Sequence, residues 1–330
     1  MRFAKELKFF IFAMFCFGPV YGADYTVALI LDKAGKDDQS FNASAYRGIQ
    51  KAERELGVKS KTIEVKDAAS SESMLRALAG KKFDLLIAIG FSHAGAVAKV
   101  APAFPDRKFV IVDSEVKHPN VTSVIFAEHE GAFLVGVMAA MASKSSNVGF
   151  IGGMDIPLIR RFAMGYEAGV RHVSPKAKVQ QSYIGVTGEA FSNPPKAKEL
   201  ALMQFAQGAD VIFHAAGASG AGLFDAAEDK KFLAIGVDSN QNGAKPGRIL
   251  TSMVKSVDVA VFDAVKAAKA QQLPGGKTLF QGLGTGGIDM AVDEHNKALL
   301  TPAMLKKASE IKAAIQSGKI KVPDYYALKK

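Results

Sequence analysis

The sequence has 330 residues, with 42 Lys and Arg against 32 Asp and Glu, a formal net charge of +10, one cysteine and no tryptophan. A chain of this length with 48% hydrophobic residues outgrows one core, so two domains are expected. A single cysteine excludes an internal disulfide, and Lys and Arg scattered without a long basic run argue against nucleic-acid binding.

In chain order, MRFAKELK carries Arg2, Lys5 and Lys8, and FFIFAMFCF follows as an apolar run too short to span a bilayer as a helix. Gly18 and Pro19 break that run ahead of the cleavage-like Val20-Tyr21-Gly22. Residues 1–22 read as a secretory signal peptide cut before Ala23, which makes the protein periplasmic. Cys16 lies inside the apolar run behind Ala13-Met14-Phe15, a poor setting for lipid attachment, so soluble export is favoured over a lipid anchor. The mature chain then has no thiolate to offer a metal.

TVALIL (26–31) is a short apolar run of the kind found in a parallel strand covered on both faces. A polar turn, KAGKDDQ, leads from it into a helical pattern that begins at Ser40, Phe41 and Asn42. Further strands are expected at 61–65, 83–90, 108–114 and 123–128, with helices near 43–56, 71–78 and 93–101 between them. A long apolar helix over 131–142 interrupts, and the alternation restarts with strands at 147–153, 179–185, 209–217 and 232–239. Such repetition predicts α/β architecture with doubly wound parallel sheets, here in two similar lobes. The stretch 251–269 reads as a strand and then a helix, and GGKTLFQGLGTGGIDMAVDEH as a hairpin-like return. The expected division is 23–126 plus 251–280 for one lobe and 127–250 plus 281–330 for the other, joined by a three-strand hinge around a cleft.

No Walker A loop, HExxH or GxSxG is present, and catalysis has no positive support. Gly282 to Gly287 matches GxGxxG literally but lacks the strand before and helix after that a dinucleotide site needs. No cofactor or metal is expected; His93, His129 and His214 read as surface or hydrogen-bonded structural groups. What recurs is polar and ring-bearing residues at strand carboxyl ends, where ligands collect in open α/β sheets. These are Asp113 after KFVIV, Asp238 after FLAIGV, Gly217 after VIFHAA and Lys255 after TSMV. Phe41 is either a staple for its helix or a ring offered to a flat ligand, with Asp38 and Asn42 beside it. Phe191 in GEAFSNPP reads as its counterpart in the other lobe.

DDQSFNASAYRG (37–48), IFAEHEGAFLVGVMAA (125–140), VGFIGGMDIPLIRRFAMGYEAGV (148–170) and ILTSMVKSVDVAVFDAV (249–265) carry a resemblance. The chain resembles the basic membrane protein family, substrate-binding components of ABC importers that include the purine nucleoside receptors. The likeness covers residues 24–300. It implies a type I periplasmic-binding-protein fold closing on a purine nucleoside, a cognate permease as partner, and a monomer. Carried over by type, it assigns ligand contacts to Asp38, Phe41, Asn42, Asp113, Phe191, Gly217, Asp238 and Lys255. The turn SNQNGAKPGR after Asp238 departs from the family's D-x-D-Q pattern, which leaves the ribose side open. Another flat heteroaromatic, a sugar, or a nucleoside-cleaving activity are the alternative readings.

Overall fold

The structure, a computed structural model, describes residues 24–329 apart from 66, 68 and 82. The expected signal peptide and Cys16 lie outside the described residues. From β1 (Thr26–Leu31) the chain runs through α1 (Phe41–Leu56), β2 (Lys59–Glu64), α2 (Ser70–Gly80), β3 (Leu85–Ile89), α3 (Ala94–Val100), β4 (Lys108–Val112) and β5 (Val121–Phe126). Then α4 (Glu128–Ala142) leads to β6 (Asn147–Met154), α5 (Pro157–Val173), β7 (Lys178–Gly185) and α6 (Pro194–Ala206). After these come β8 (Val211–Ala215), α7 (Gly220–Lys230), β9 (Leu233–Asp238) and β10 (Ile249–Lys255). The order closes with α8 (Val257–Lys269), β11 (Thr278–Gln281), β12 (Ile288–Met290) and α9 (Pro302–Gln316).

These strands build two six-stranded sheets, β11-β5-β4-β3-β1-β2 and β12-β10-β9-β8-β6-β7. Their pairings are parallel except for β12, which runs antiparallel to β10. The central strands are buried along nearly their whole length, which is why their sequences are unbroken apolar runs rather than alternating ones. In both sheets the strand order reverses beside the first strand, β2-β1-β3 and β7-β6-β8. Crevices open at such reversals, outside the carboxyl ends of the strands.

The chain passes between the sheets three times, after Phe126, after Lys255 and after Gln281. The second passage corrects the domain boundary expected at 251. Ile249–Lys255 pairs with β9 in the second sheet, and only α8 beyond it returns to pack on α1. The third corrects the hairpin-like reading: β11 adds to β5 in the first sheet and β12 to β10 in the second. A buried parallel strand advertises burial in its composition, not which sheet buries it. The literal GxGxxG is this third passage, a tight turn in which Leu283 N donates to Glu130 Oε2 at 2.9 Å.

Two close helix contacts fix the layers. On α5, Gly165 lies against the backbone of His129 in α4, where a Cβ would collide with the carbonyl oxygen. Gly48 on α1 meets the backbone of Asp258 at the start of α8 in the same way. The GYEAG stretch thus has a packing reason, and α4, apolar all round over 131–139, is buried there as such a stretch must be.

Candidate ligand-binding site

All eight residues singled out in the sequence line one cavity between the carboxyl edges of the two sheets. The space between its walls is about 560 Å³, open mouth included. Residues that the sequence did not single out also line it, among them Asp32, Phe91, Leu158, Ile159 and Phe162.

On the first sheet's side, the Asp38 carboxylate caps the start of α1. Its Oδ1 accepts from the backbone N–H of Ser40 and Ala43, both at 2.9 Å, and its Oδ2 from Asn42 N at 2.9 Å and Asn42 Nδ2 at 3.0 Å. A carboxylate has about four acceptor positions, so this one is filled by the helix end it caps. Asn42 spends its second amide hydrogen on Asp32 Oδ1 at 2.7 Å. Asp38 and Asn42 therefore build the wall of the cavity, and the free acceptor there is Asp32. Its Oδ1 accepts from Asn42 and Ala34, while Oδ2 has no partner among the described residues and lies beside Gly90. Burial raises the Asp32 carboxyl pKa, against hydrogen bonds from Asn42 and Ala34 that lower it. Asp32 was legible as the charged residue closing the run TVALIL, by the same rule that found Asp113.

Asp113 follows β4 directly, and Asp238 ends β9. Both hold left-handed backbone, with φ of 66° and 63°, a conformation uncommon for a residue other than glycine. That backbone turns each carboxylate off its strand end and into the cavity. Asp113 Oδ2 accepts from Lys255 Nζ at 2.5 Å, whereas its Oδ1 is buried without a partner. Asp238 Oδ2 accepts from the Ser40 hydroxyl of the first lobe at 2.6 Å. Burial pushes the Asp113 carboxyl up to about 7, with Lys255 pulling the other way and Glu128 adding to the rise. Asp238 goes up to about 6 for the same first reason, opposed by Lys255 and by the Ser40 bond.

Lys255 is 1% exposed, and its ammonium also bonds Glu128 Oε1 at 3.1 Å. It lies 4.9 Å from the centre of the Phe41 ring and 5.0 Å from that of Phe126. Burial acts to lower its pKa, but the carboxylates of Asp113, Glu128 and Asp238 overcome that, and the amine is held protonated.

Phe41 is half-buried, lines the cavity and packs on the main core, so the staple and the offered ring are one side chain. The pairing of Phe191 with Phe41 as equivalents is corrected. Phe41 opens the helix after β1, while Phe191 follows β7, the counterpart of β2. The position matching Phe41 is the start of α5, where Leu158, Ile159 and Phe162 enter the cavity. Phe191 instead meets Phe91 edge-on at 6.2 Å, and Gly217 lets its backbone run beside the Phe191 carbonyl with φ of 54°. Of the histidines, His93 is buried against Ser71, His129 accepts from Arg161 and His214 bonds Gln241, all structural.

The lobes touch across the mouth. Ser239 Oγ donates to Ser40 O at 2.7 Å, Gln241 Nε2 to Gln39 O at 3.1 Å, and Lys33 pairs with Glu189. Apolar walls with rings, carboxylate oxygens left free and an ammonium already neutralised suit a flat, uncharged ligand rich in N–H and O–H donors.

A solved ABC-transporter solute-binding protein from Aeropyrum pernix K1 superposes with a TM-score of 0.84 at 28% identity, covering 92% of this chain and 95% of that one. The architecture is the type I periplasmic-binding-protein fold, and its class is the substrate-binding component of an ABC importer. The family model for PnrA-like ABC transporter substrate-binding proteins, Bmp, matches residues 25–325. The chain belongs to that family. It is 34% identical to a CD4+ T-cell-stimulating antigen of Listeria monocytogenes over 91% of this chain and 88% of that protein. It is also 34% identical to the ABC transporter nucleoside-binding protein BmpA of Lactococcus lactis, over 91% of this chain and 89% of that one. Membership implies a captured solute and a cognate permease.

Proposed function

We propose that this protein captures purine nucleosides and hands them to its permease. The observation that carries the reading is a ring-lined cavity with three carboxylates, Asp32, Asp113 and Asp238, each keeping an oxygen without a partner among the described residues. Phe41 and Phe191 stack on the base, each contributing about 1–3 kcal/mol. The carboxylates accept from base N–H and ribose O–H groups, each charged hydrogen bond worth about 1.5–3 kcal/mol. A phosphate would face the same carboxylates with Lys255 already engaged, so nucleosides are preferred to nucleotides. The relative from Lactococcus lactis, whose name states nucleoside binding, supports the same choice.

The three chain passages act as a hinge on which the lobes close over the ligand, as a monomer, after export with residues 1–22 removed. Calorimetric titration with guanosine, ribose and guanosine monophosphate tests the reading. Guanosine is expected to bind at least about a hundredfold tighter than ribose, because the sugar gives up both stacks. Ribose binding as tight as guanosine overturns it. Small-angle scattering with and without guanosine checks closure, and intact mass of the exported form checks cleavage before Ala23 and the absence of lipid on Cys16.

A further inference from the structure

A line of charges, buried up to the partly exposed Asp324 at its end, leads from the cavity to the tail of the chain. Lys255 bonds Glu128 Oε1 at 3.1 Å, and Glu128 Oε2 accepts from Arg161 Nη1 at 2.5 Å. Arg161 then donates from Nε and Nη2 to the two oxygens of Asp324, at 2.8 and 3.1 Å. The signs alternate from Asp113 through Lys255, Glu128 and Arg161 to Asp324. Glu128 is 0% and Arg161 3% exposed, and neither they nor Asp324 line the ligand cavity.

Arg161 has five N–H donors, and all five are placed. Two go to Asp324, one to Glu128, one to the carbonyl of Phe126 at 2.6 Å and one to His129 Nδ1 at 3.0 Å. Phe126 is the last residue of β5, so this guanidinium clasps the first passage between the lobes. The Tyr326 ring covers it at 4.3 Å, and Tyr326 N donates back to Asp324 Oδ1 at 3.0 Å.

We propose that Asp324 is a positioning residue for the ligand site, dividing the Lys255 ammonium between Glu128 and Asp113 by holding Arg161. Remove its charge, and the Nε–Nη2 edge of Arg161 loses its anion while Glu128 stays the nearest carboxylate. Glu128 turns further onto Arg161, and Lys255 falls back on Asp113 alone. Asp113 then accepts less strongly from a ligand and ionises more readily. The charged and titratable groups facing Asp113 include Lys255 from β10, Glu128 from α4, Asp238 from β9 and Tyr326 from the tail, while Glu115, Arg161 from α5 and Asp324 line a neighbouring cavity with it. Asp32 and Asp38 face it across the cavity from the β1–α1 loop. Of these, the removal changes the placement of Glu128 and Lys255. The inference rests on Asp113 being a ligand acceptor.

The test is guanosine affinity from about pH 5 to about pH 8, measured on the full chain for wild type, Asp324→Asn and Asp324→Glu, with melting curves alongside. Wild type is expected to lose affinity on the acid side. Asp324→Asn should move the midpoint of that loss to lower pH by about half a unit or more, and weaken binding at the alkaline end about three- to tenfold. Asp324→Glu, which keeps the charge, should retain the wild-type midpoint. A wild-type affinity flat across the range sinks the Asp113 reading and this inference with it. An acid limb present in wild type and unmoved in Asp324→Asn sinks the inference alone, as does an equal loss at every pH. Should Asp324→Asn not fold, a wild-type midpoint in Asp324→Glu supports the assignment and a displaced one overturns it.

Discussion

Asp113 and Asp238 stand at matching places in two lobes of like topology, each at the end of the fourth strand and each in left-handed backbone. Their company differs. Asp113 touches an ammonium inside a chain of buried charges, whereas Asp238 touches a hydroxyl that arrives from the other lobe. In the proposed closure, Lys255 sits at a passage of the chain, where lobe movement displaces atoms least. Ser40 lies on the seam, where movement separates partners. The repeated topology thus delivers a carboxylate to each lip of the cavity, and neighbouring elements decide which is anchored and which is a latch.

The sharpest way to break this comparison is Lys255→Met. It leaves Asp113 buried without a cation and Glu128 with Arg161 alone, and removing one partner of a buried pair costs about 3–5 kcal/mol. Denaturant unfolding near neutral pH reads that loss directly. A variant as stable as wild type would mean that the anchor is no anchor.

Next come Asp113→Asn and Asp238→Asn. Each should weaken guanosine by about 1.5–3 kcal/mol, roughly ten- to over a hundredfold by calorimetry. Only Asp113→Asn should also alter the unfolding midpoint strongly, because only it leaves a buried charge short of a partner. Equal stability effects would erase the distinction between the two carboxylates.

The same pair sets the acid limb of binding. Both carboxyls are raised in the free protein, to about 7 and about 6, by burial first. Ligand N–H and O–H donors favour the ionised form, so affinity is full above those values and falls as pH drops through about 7 and then about 6. Asp113→Asn should remove the upper step and Asp238→Asn the lower. For the empty protein the sign is opposite. A carboxyl raised on folding stabilises below its unfolded value, and that contribution is lost as pH rises through the folded one. The melting temperature of ligand-free wild type should therefore gain less from neutral pH than that of the double Asn variant.

Phe41→Ala and Phe191→Ala are each expected to weaken guanosine about five- to a hundredfold, or about 1–3 kcal/mol. Phe41→Ala should lower the melting temperature further, since both rings pack on the core but only Phe41 also lies over Lys255. The smallest effect belongs to the latch. Ser40→Ala removes the hydroxyl that donates to Asp238 across the seam, and should speed guanosine release in stopped-flow measurements with little change in unfolding.

The strands and their order of alternation were legible because parallel strands buried on both faces are written as apolar runs. The lips of the cavity were legible too, since a polar residue ending such a run is conspicuous, and that rule would have found Asp32. What stayed hidden depends on pairing at a distance. Nothing in TSMVK says that its strand joins the second sheet, and nothing local joins Glu128, Arg161 and Asp324 into one chain. Asp38 lines the cavity and also caps its helix, because a helix cap and a binding acceptor use the same side chain. Only the four donors around it tell them apart.

The return of α8 and β11 to the first sheet has a consequence for how the chain is made. The Gly48 face of α1 has nothing to lie against until α8 exists, and β5 keeps a bare edge until residue 281 of 330. The second sheet waits longer still, for β12 at 288–290. An early half of this protein is therefore not a lobe but an open template with unpaired strand edges, prone to pair elsewhere. Closing contacts so distant in sequence makes folding slow by topology.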